Sequence, residues 1–214
     1  MRNKKRNGLV VFGCLFASLL FADPVVSPFS AGEFGEWKVH EFDKLKPTEY
    51  ELVAEDGKTV LHALSTKGAS GLFFRQDIEL KKTPNLQWSW KVTKGLDGVD
   101  EQTKAGDDYA ARVYVLFKTK WAQIKPNTLV YVWSSDPEAP ESYCSPYTDK
   151  AVIVPLDRGP KLHDQWRSHR RDVRADIKTH FGVQVDKILA VAIMTDADNS
   201  GQIAEAWYGD VDFR

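Results

Sequence analysis

Asn85-Leu-Gln-Trp-Ser-Trp-Lys-Val-Thr93 alternates apolar and polar residues without a break. Leu86, Trp88, Trp90 and Val92 fall on one face of an extended chain, and Gln87, Ser89, Lys91 and Thr93 fall on the other. A period of two is the mark of a half-buried antiparallel strand. Leu72 to Leu80 repeats the pattern, with Leu72, Phe74, Gln76, Ile78 and Leu80 sharing a face. Further strands are expected at Trp37–Phe42, Tyr50–Ala54, Thr59–Ser65, Tyr109–Lys118, Thr128–Trp133, Ala151–Leu156, Ile188–Thr195 and Ala204–Phe213. Turn-rich stretches such as Glu55-Asp-Gly-Lys58 separate them. Many strands without alternating helices predict an all-β fold, an antiparallel two-sheet β-sandwich of jelly-roll type.

One segment departs from this period. Trp166, Val173, Ile177 and Phe181 recur at helical spacing, with Asp164 as a candidate N-cap and Gly182 just past the end, so an amphipathic helix is expected at about 164–181. Arg167, Arg170, Arg171, Arg174 and Lys178 would form a basic stripe along it, beside Asp172 and Asp176. That stripe is a face for an anionic partner or a solvated side laced by ion pairs.

The chain has 214 residues, 43% apolar and 28% charged, enough for one medium domain and too few for two. Arg2, Lys4, Lys5 and Arg6 precede an apolar run from Leu9 to Phe21 and the small residue Ala22, the pattern of a secretory signal peptide cleaved after residue 22. The run is shorter than the roughly 20 residues of a permanent span. The expected organisation is a signal peptide at 1–22, a linker at 23–33 and a sandwich domain at 34–214, in a periplasmic or secreted protein with no permanent membrane span. Of 29 basic residues those four lie in the leader, which leaves 25 against 30 acidic ones. An acidic mature chain argues against nucleic-acid binding, where a basic face must meet phosphates. Cys14 and Cys144 make no disulfide framework, and Cys144 is expected to be buried.

Three polar loops could carry chemistry. Lys94 to Asp108 holds Asp97, Asp100, Glu101, Asp107 and Asp108, residues suited to a hard cation or to general acid–base work. Asp107 and Asp108 can serve one site only if the following strand begins after them. Arg112 lies in that strand, where a charge needs a partner, and Asp108 or Asp210 could supply it, either as a structural tie or as a ligand clamp. Thr195-Asp-Ala-Asp-Asn-Ser-Gly201 matches the start of a calcium loop, with Asp196, Asp198 and Ser200 as candidate calcium ligands. Trp207 stands where an EF-hand has Glu, and a hairpin turn uses the same residues. Ser134 to Tyr147 follows the aromatic strand that ends at Trp133. Flat aromatic rings stack on sugars, so Trp133, Trp121, Tyr143, Tyr147, Trp207 and Tyr208 are candidate glycan contacts. The sequence has no Gly-x-Ser-x-Gly, His-Glu-x-x-His, phosphate loop or Cys-x-x-Cys.

Several segments in order resemble a known family. Ala105-Gly-Asp-Asp-Tyr-Ala-Ala-Arg-Val-Tyr-Val115, Tyr131-Val-Trp133, Ser145-Pro-Tyr-Thr-Asp-Lys150, Val191-Ala-Ile-Met-Thr-Asp-Ala-Asp-Asn-Ser-Gly201 and Ala206-Trp-Tyr-Gly-Asp-Val211 look like the bacterial domain-of-unknown-function family numbered 3047. The resemblance runs from about Phe34 to Phe213 and implies an exported single-domain protein with no activity to carry over. Tyr208 to Phe213 also looks like the last strand of carbohydrate-binding jelly rolls, some of which hold a structural calcium. Together these readings favour a non-catalytic binding module for a glycan or cell-envelope component. The alternatives are a glycoside hydrolase or lyase using carboxylates from Glu101, Asp107, Asp108 and Asp196, and a structural envelope protein that binds a partner through the basic stripe.

Overall fold

The structure is a computed structural model that describes residues 27–119 and 125–214. The proposed leader, the first linker residues and Trp121 lie outside the described residues. Fifteen strands and one α-helix follow in order: β1 (Lys38–Glu41), β2 (Glu49–Glu55), β3 (Lys58–Thr66), β4 (Ser70–Phe74), β5 (Ile78–Glu79), β6 (Asn85–Lys94), β7 (Ala111–Phe117), β8 (Asn127–Ser134), β9 (Tyr143–Cys144), β10 (Ala151–Arg158), β11 (Arg167–Asp172), α1 (Val173–Phe181), β12 (Lys187–Ile188), β13 (Ala190–Met194), β14 (Ile203–Tyr208) and β15 (Asp212–Phe213).

A seven-stranded sheet runs β1-β4-β13-β7-β8-β10-β9, and a six-stranded sheet runs β11-β6-β14-β3-β2 with β15 added beside β6. A two-stranded ribbon pairs β12 with β5. The inner faces of the two large sheets share one core. Leu86, Trp88, Trp90 and Val92 of β6 are all buried, as the alternation requires, and they meet Val113, Val115, Tyr131, Trp133, Val191 and Ile193 of the other sheet. The architecture is the β-sandwich that the strand series predicts, with one exception to antiparallel order. β10 pairs with β8 in parallel, because a long excursion through β9 separates them and lets the chain re-enter in the same direction.

Several expected strands are split. Leu72–Leu80 divides into β4 and β5, Ile188–Thr195 into β12 and β13, and Ala204–Phe213 into β14 and β15. In Leu72–Leu80 the apolar alternation runs through the break, whereas in Ala204–Phe213 the buried positions change phase between Tyr208 and Val211. The helix begins later than expected. Arg167–Asp172 is strand β11, paired antiparallel with β6, and only Val173–Phe181 is helical. Its N-cap is Asp172, whose side chain accepts from the Ala175 amide at 2.9 Å, rather than Asp164. Gly182 does close the helix in the left-handed region at φ 66°.

The physical reason for β11 lies inside the sandwich. Asp157 of β10 is 2% exposed and accepts from Trp90 Nε1 at 2.7 Å, His169 Nε2 at 2.7 Å and Arg167 Nε at 3.0 Å. A β-bulge between Pro155 and Asp157 shifts the register there. Arg167 and His169, two residues apart on one strand face, both reach the carboxylate, which helical spacing would not permit. The segment also pairs with the backbone of β6, which a helix would leave unpaired. Arg171, next on that face, pairs with Asp176 at 2.7 Å. The expected helical basic stripe is therefore divided between a strand and a helix. Cys144, expected inside, is exposed on the short outermost strand β9.

Burial alone would raise Asp157, but hydrogen bonds from His169 and Trp90, the His169 charge and the Arg167 contact hold it below the usual carboxylate range. A depressed carboxylate stabilises the fold above its unfolded value of about 3.9 and loses that contribution as pH falls through the lower folded value. Asp157→Ala is expected to cost about 2–5 kcal/mol in urea unfolding at neutral pH, because it orphans a buried indole N–H and the His169 donor. Asp157→Asn is expected to flatten the loss of stability below about pH 4.

Candidate functional site

The three polar loops singled out in the sequence meet at one end of the sandwich. Glu101, 4% exposed, accepts from Ser134 Oγ at 2.5 Å, Ser135 N at 2.6 Å and Ser135 Oγ at 2.7 Å, which ties the first loop to the third. Tyr109 and Tyr143 share a hydroxyl contact of 2.7 Å. Tyr147 donates to Lys104 O at 3.0 Å and contacts Asn199 Oδ1 at 3.1 Å, which brings in the second loop.

Beneath these contacts lies Arg112. Strand β7 starts at Ala111, so Asp107 and Asp108 precede it and both face one cluster. Arg112 Nε donates to Asp196 Oδ1 at 2.9 Å, and its Nη2 contacts the other Asp196 oxygen and donates to Asp107 O at 2.6 Å. Asp107 Oδ1 lies 3.6 Å from Nη1, and the Tyr109 ring sits 4.3 Å from the guanidinium. The partner is thus Asp196, with help from Asp107, instead of Asp108 or Asp210. Asp108 is fully buried and accepts from Asn199 N and Nδ2 at 3.2 and 3.1 Å and from Ser200 N at 2.6 Å.

Asp108, Asp196 and Asp198 each offer an oxygen within 4.8 Å of the others, so this trio could hold a metal ion. Asp196 and Asp198 are two of the three expected calcium ligands. Ser200 instead serves through its backbone amide to Asp108, and Asp108 takes its place in the trio. Burial pushes Asp196 up to about 8 against the pull of Arg112, and Asp108 and Asp107 add to the push. Burial also raises Asp107, Asp198 and Glu101.

A second polar surface lies on the outer face of the six-stranded sheet. Trp207 stands opposite His62 of β3 and Lys91 of β6. Its ring is 4.5 Å from the His62 ring and 4.7 Å from Lys91 Nζ. Lys91 Nζ lies 5.6 Å from the centre of Trp166 on its other side and pairs with Glu55. Burial lowers the Lys91 pKa, partly offset by Asp164 and Glu205. Next to this Trp207–Lys91–Trp166 row is a pocket of about 610 Å³ whose wall includes Glu55, Ser89, Trp166, Ser168 and Asp210.

The expected contacts are distributed unevenly. Trp207 is half-buried on the outer face and Tyr147 is 54% exposed at the loop end. Tyr143 is half-buried in the loop contacts. Trp133 and Tyr208, at 2% and 0% exposure, are core residues closed to a ligand, and Arg112 and Asp108, at 4% and 0%, belong to the internal tie. Tyr208 turns inward because β14 puts Trp207 outward, and its hydroxyl meets Thr195 Oγ1 at 2.9 Å. Sequence reasoning missed Trp166 as a surface residue by placing it in a helix. It also passed over Lys91, although the polar half of the β6 alternation already put Lys91 and Ser89 on the outer face.

Carboxylates held above their unfolded value keep protons that the unfolded chain releases, so stability falls as pH rises through the window between the two values. With Asp196 near 8, stability is expected to decline from about pH 4 to about pH 8. Asp107→Asn, which removes one of the charges that raise Asp196, is expected to flatten that decline in urea melts.

Solved structures similar to this chain include the family 11 carbohydrate-binding module of the cellulosomal cellulase Lic26A-Cel5E of Clostridium thermocellum, at 11% identity and TM-score 0.47, covering 90% of this chain and 95% of that one. A family 30 carbohydrate-binding module of the Clostridium thermocellum cellulase Cel9D-Cel44B shows 14% identity and TM-score 0.42 over 91% and 94%. A cellulase derived from Cel12A of Rhodothermus marinus shows 11% identity and TM-score 0.47 over 87% and 94%. At these values the likeness carries no information about what this chain binds. No curated protein matches the sequence. Residues 35–212 match the model of a family described as a protein of unknown function, DUF3047, and the chain belongs to that family.

Proposed function

We propose that this protein is an exported, non-catalytic binding module for a glycan or related cell-envelope component, and that the outer face of its six-stranded sheet is the binding face. The observation that carries this reading is the pocket of about 610 Å³ beside Trp166, with Trp207 and Lys91 alongside. A flat indole offers a stacking surface for a sugar ring, while Ser89, Ser168, Glu55 and Asp210 offer hydroxyl and carboxylate groups for sugar hydroxyls. Ligand sites combine apolar or aromatic surface with a few convergent polar groups in this way.

Export is supported by the basic start, the apolar run from Leu9 to Phe21 and Ala22 in the sequence. Among the described residues no helix is long and apolar enough to cross a membrane. Residues 34–214 are read as one domain because both large sheets contribute to one core.

The hydrolase reading is less favoured. Its four carboxylates, Glu101, Asp107, Asp108 and Asp196, are each less than a tenth exposed; Glu101, Asp108 and Asp196 are hydrogen-bonded within the protein, and Asp107 Oδ1 lies 3.6 Å from Arg112 Nη1. The partner-binding reading is weakened because Arg171 and Arg174 of the basic stripe are engaged by Asp176 and Asp186. The acidic end takes a structural part here, since both Asp196 oxygens are engaged by Arg112.

Titration of residues 23–214 with soluble oligosaccharides in a calorimeter is the test. Trp166→Ala is expected to weaken binding at least about tenfold, the scale of losing one central aromatic contact, with the circular-dichroism spectrum unchanged. Trp207→Ala is expected to weaken it as well. Binding that survives both substitutions would overturn the assignment of this face.

A further inference from the structure

The charges lining the pocket point to a ligand class. Glu55 is neutralised by Lys91. Asp56 and Lys58 stand on either side of Gly57 in one turn and balance each other in formal charge. Asp210 is the carboxylate left over. Ser30 holds it in place, donating from its amide to Oδ1 at 2.9 Å and from its hydroxyl to Oδ2 at 2.5 Å. Each carboxylate oxygen can accept about two hydrogen bonds, so both keep acceptor capacity beyond the one that Ser30 fills.

From this we infer, resting on the proposed glycan reading, that the pocket selects a sugar bearing a free amine, a hexosamine without its acetyl group. An ammonium group in this pocket meets an oriented carboxylate and forms a charge-assisted hydrogen bond with it. A neutral hydroxyl in the same position would gain only a hydrogen bond. A uronate or phosphate would meet Asp210, the one pocket carboxylate whose charge Lys91 and Lys58 leave unbalanced.

The experiment compares four probes on residues 23–214 at low salt: tetramers of glucosamine, N-acetylglucosamine, glucose and galacturonic acid, each β- or α-linked as commonly prepared, with trilysine as a control cation. The glucosamine tetramer is expected to bind about fivefold more tightly than the N-acetylated one, the size of a partly exposed ion pair, and added salt is expected to erase the difference. Asp210→Asn keeps an oxygen for Ser30 and is expected to abolish the preference, so that the glucosamine and N-acetylated tetramers bind alike. Equal binding of the glucosamine and neutral tetramers overturns the amine selection and leaves the glycan reading standing. Tighter binding of galacturonate also overturns it, and places the pocket under the control of Lys58 and Lys91. Trilysine binding as tightly as glucosamine overturns the sugar part. Binding of no tetramer overturns both readings.

Discussion

Burying two indoles side by side inside a sandwich creates a requirement that shapes much of this molecule. Trp88 and Trp90 give β6 a large apolar face, and an unbonded Trp90 N–H would be costly once water is excluded. Asp157, from the opposite sheet, supplies the acceptor. A lone buried carboxylate is itself costly, and it draws in His169 and Arg167 from the neighbouring segment. That segment is extended for this purpose, so β11 pairs along β6 and α1 starts only at Val173. One hydrogen bond thus joins the two sheets, sets the edge of the smaller one and fixes where the helix begins.

A second buried charge organises the far end. Arg112 draws Asp196 and the backbone of Asp107 onto itself, and Asp108 gathers the amides of Asn199 and Ser200. Glu101 and Tyr147 tie the third loop to the other two, so the three loops form one bonded cluster. Asp108 and Asp196, engaged in this way, are poor candidates for substrate contact, because every lone pair used internally is one a ligand cannot use.

The open chemistry lies elsewhere, on the outer face of the smaller sheet. There the polar half of the β6 alternation, the outward Trp207 of β14 and Trp166 just ahead of β11 form a continuous surface beside a pocket. The same extension of β11 that serves Asp157 carries Trp166 to that surface. The internal tie and the candidate binding face are therefore two consequences of one pairing.

The sandwich class was legible because a half-buried strand must alternate, and residues 85–93 alternate without fault. The three polar loops could be named from their composition. The family resemblance was carried by motifs in order along the chain. What could not be read was which distant groups meet. Arg167 to Asp172 has charges spaced for either a helix face or a strand, and only the carboxylate waiting across the core decides between them. Arg112 needed a partner, but choosing Asp196 over Asp108 or Asp210 depends on β13 lying beside β7. Trp133, Trp207 and Tyr208 are alike as aromatic residues, and only the strand positions put Trp207 outside and the other two within. Periodicity is a local property of the chain, whereas partner choice and accessibility belong to contacts between residues far apart in sequence, and these exist only once the sheets have closed.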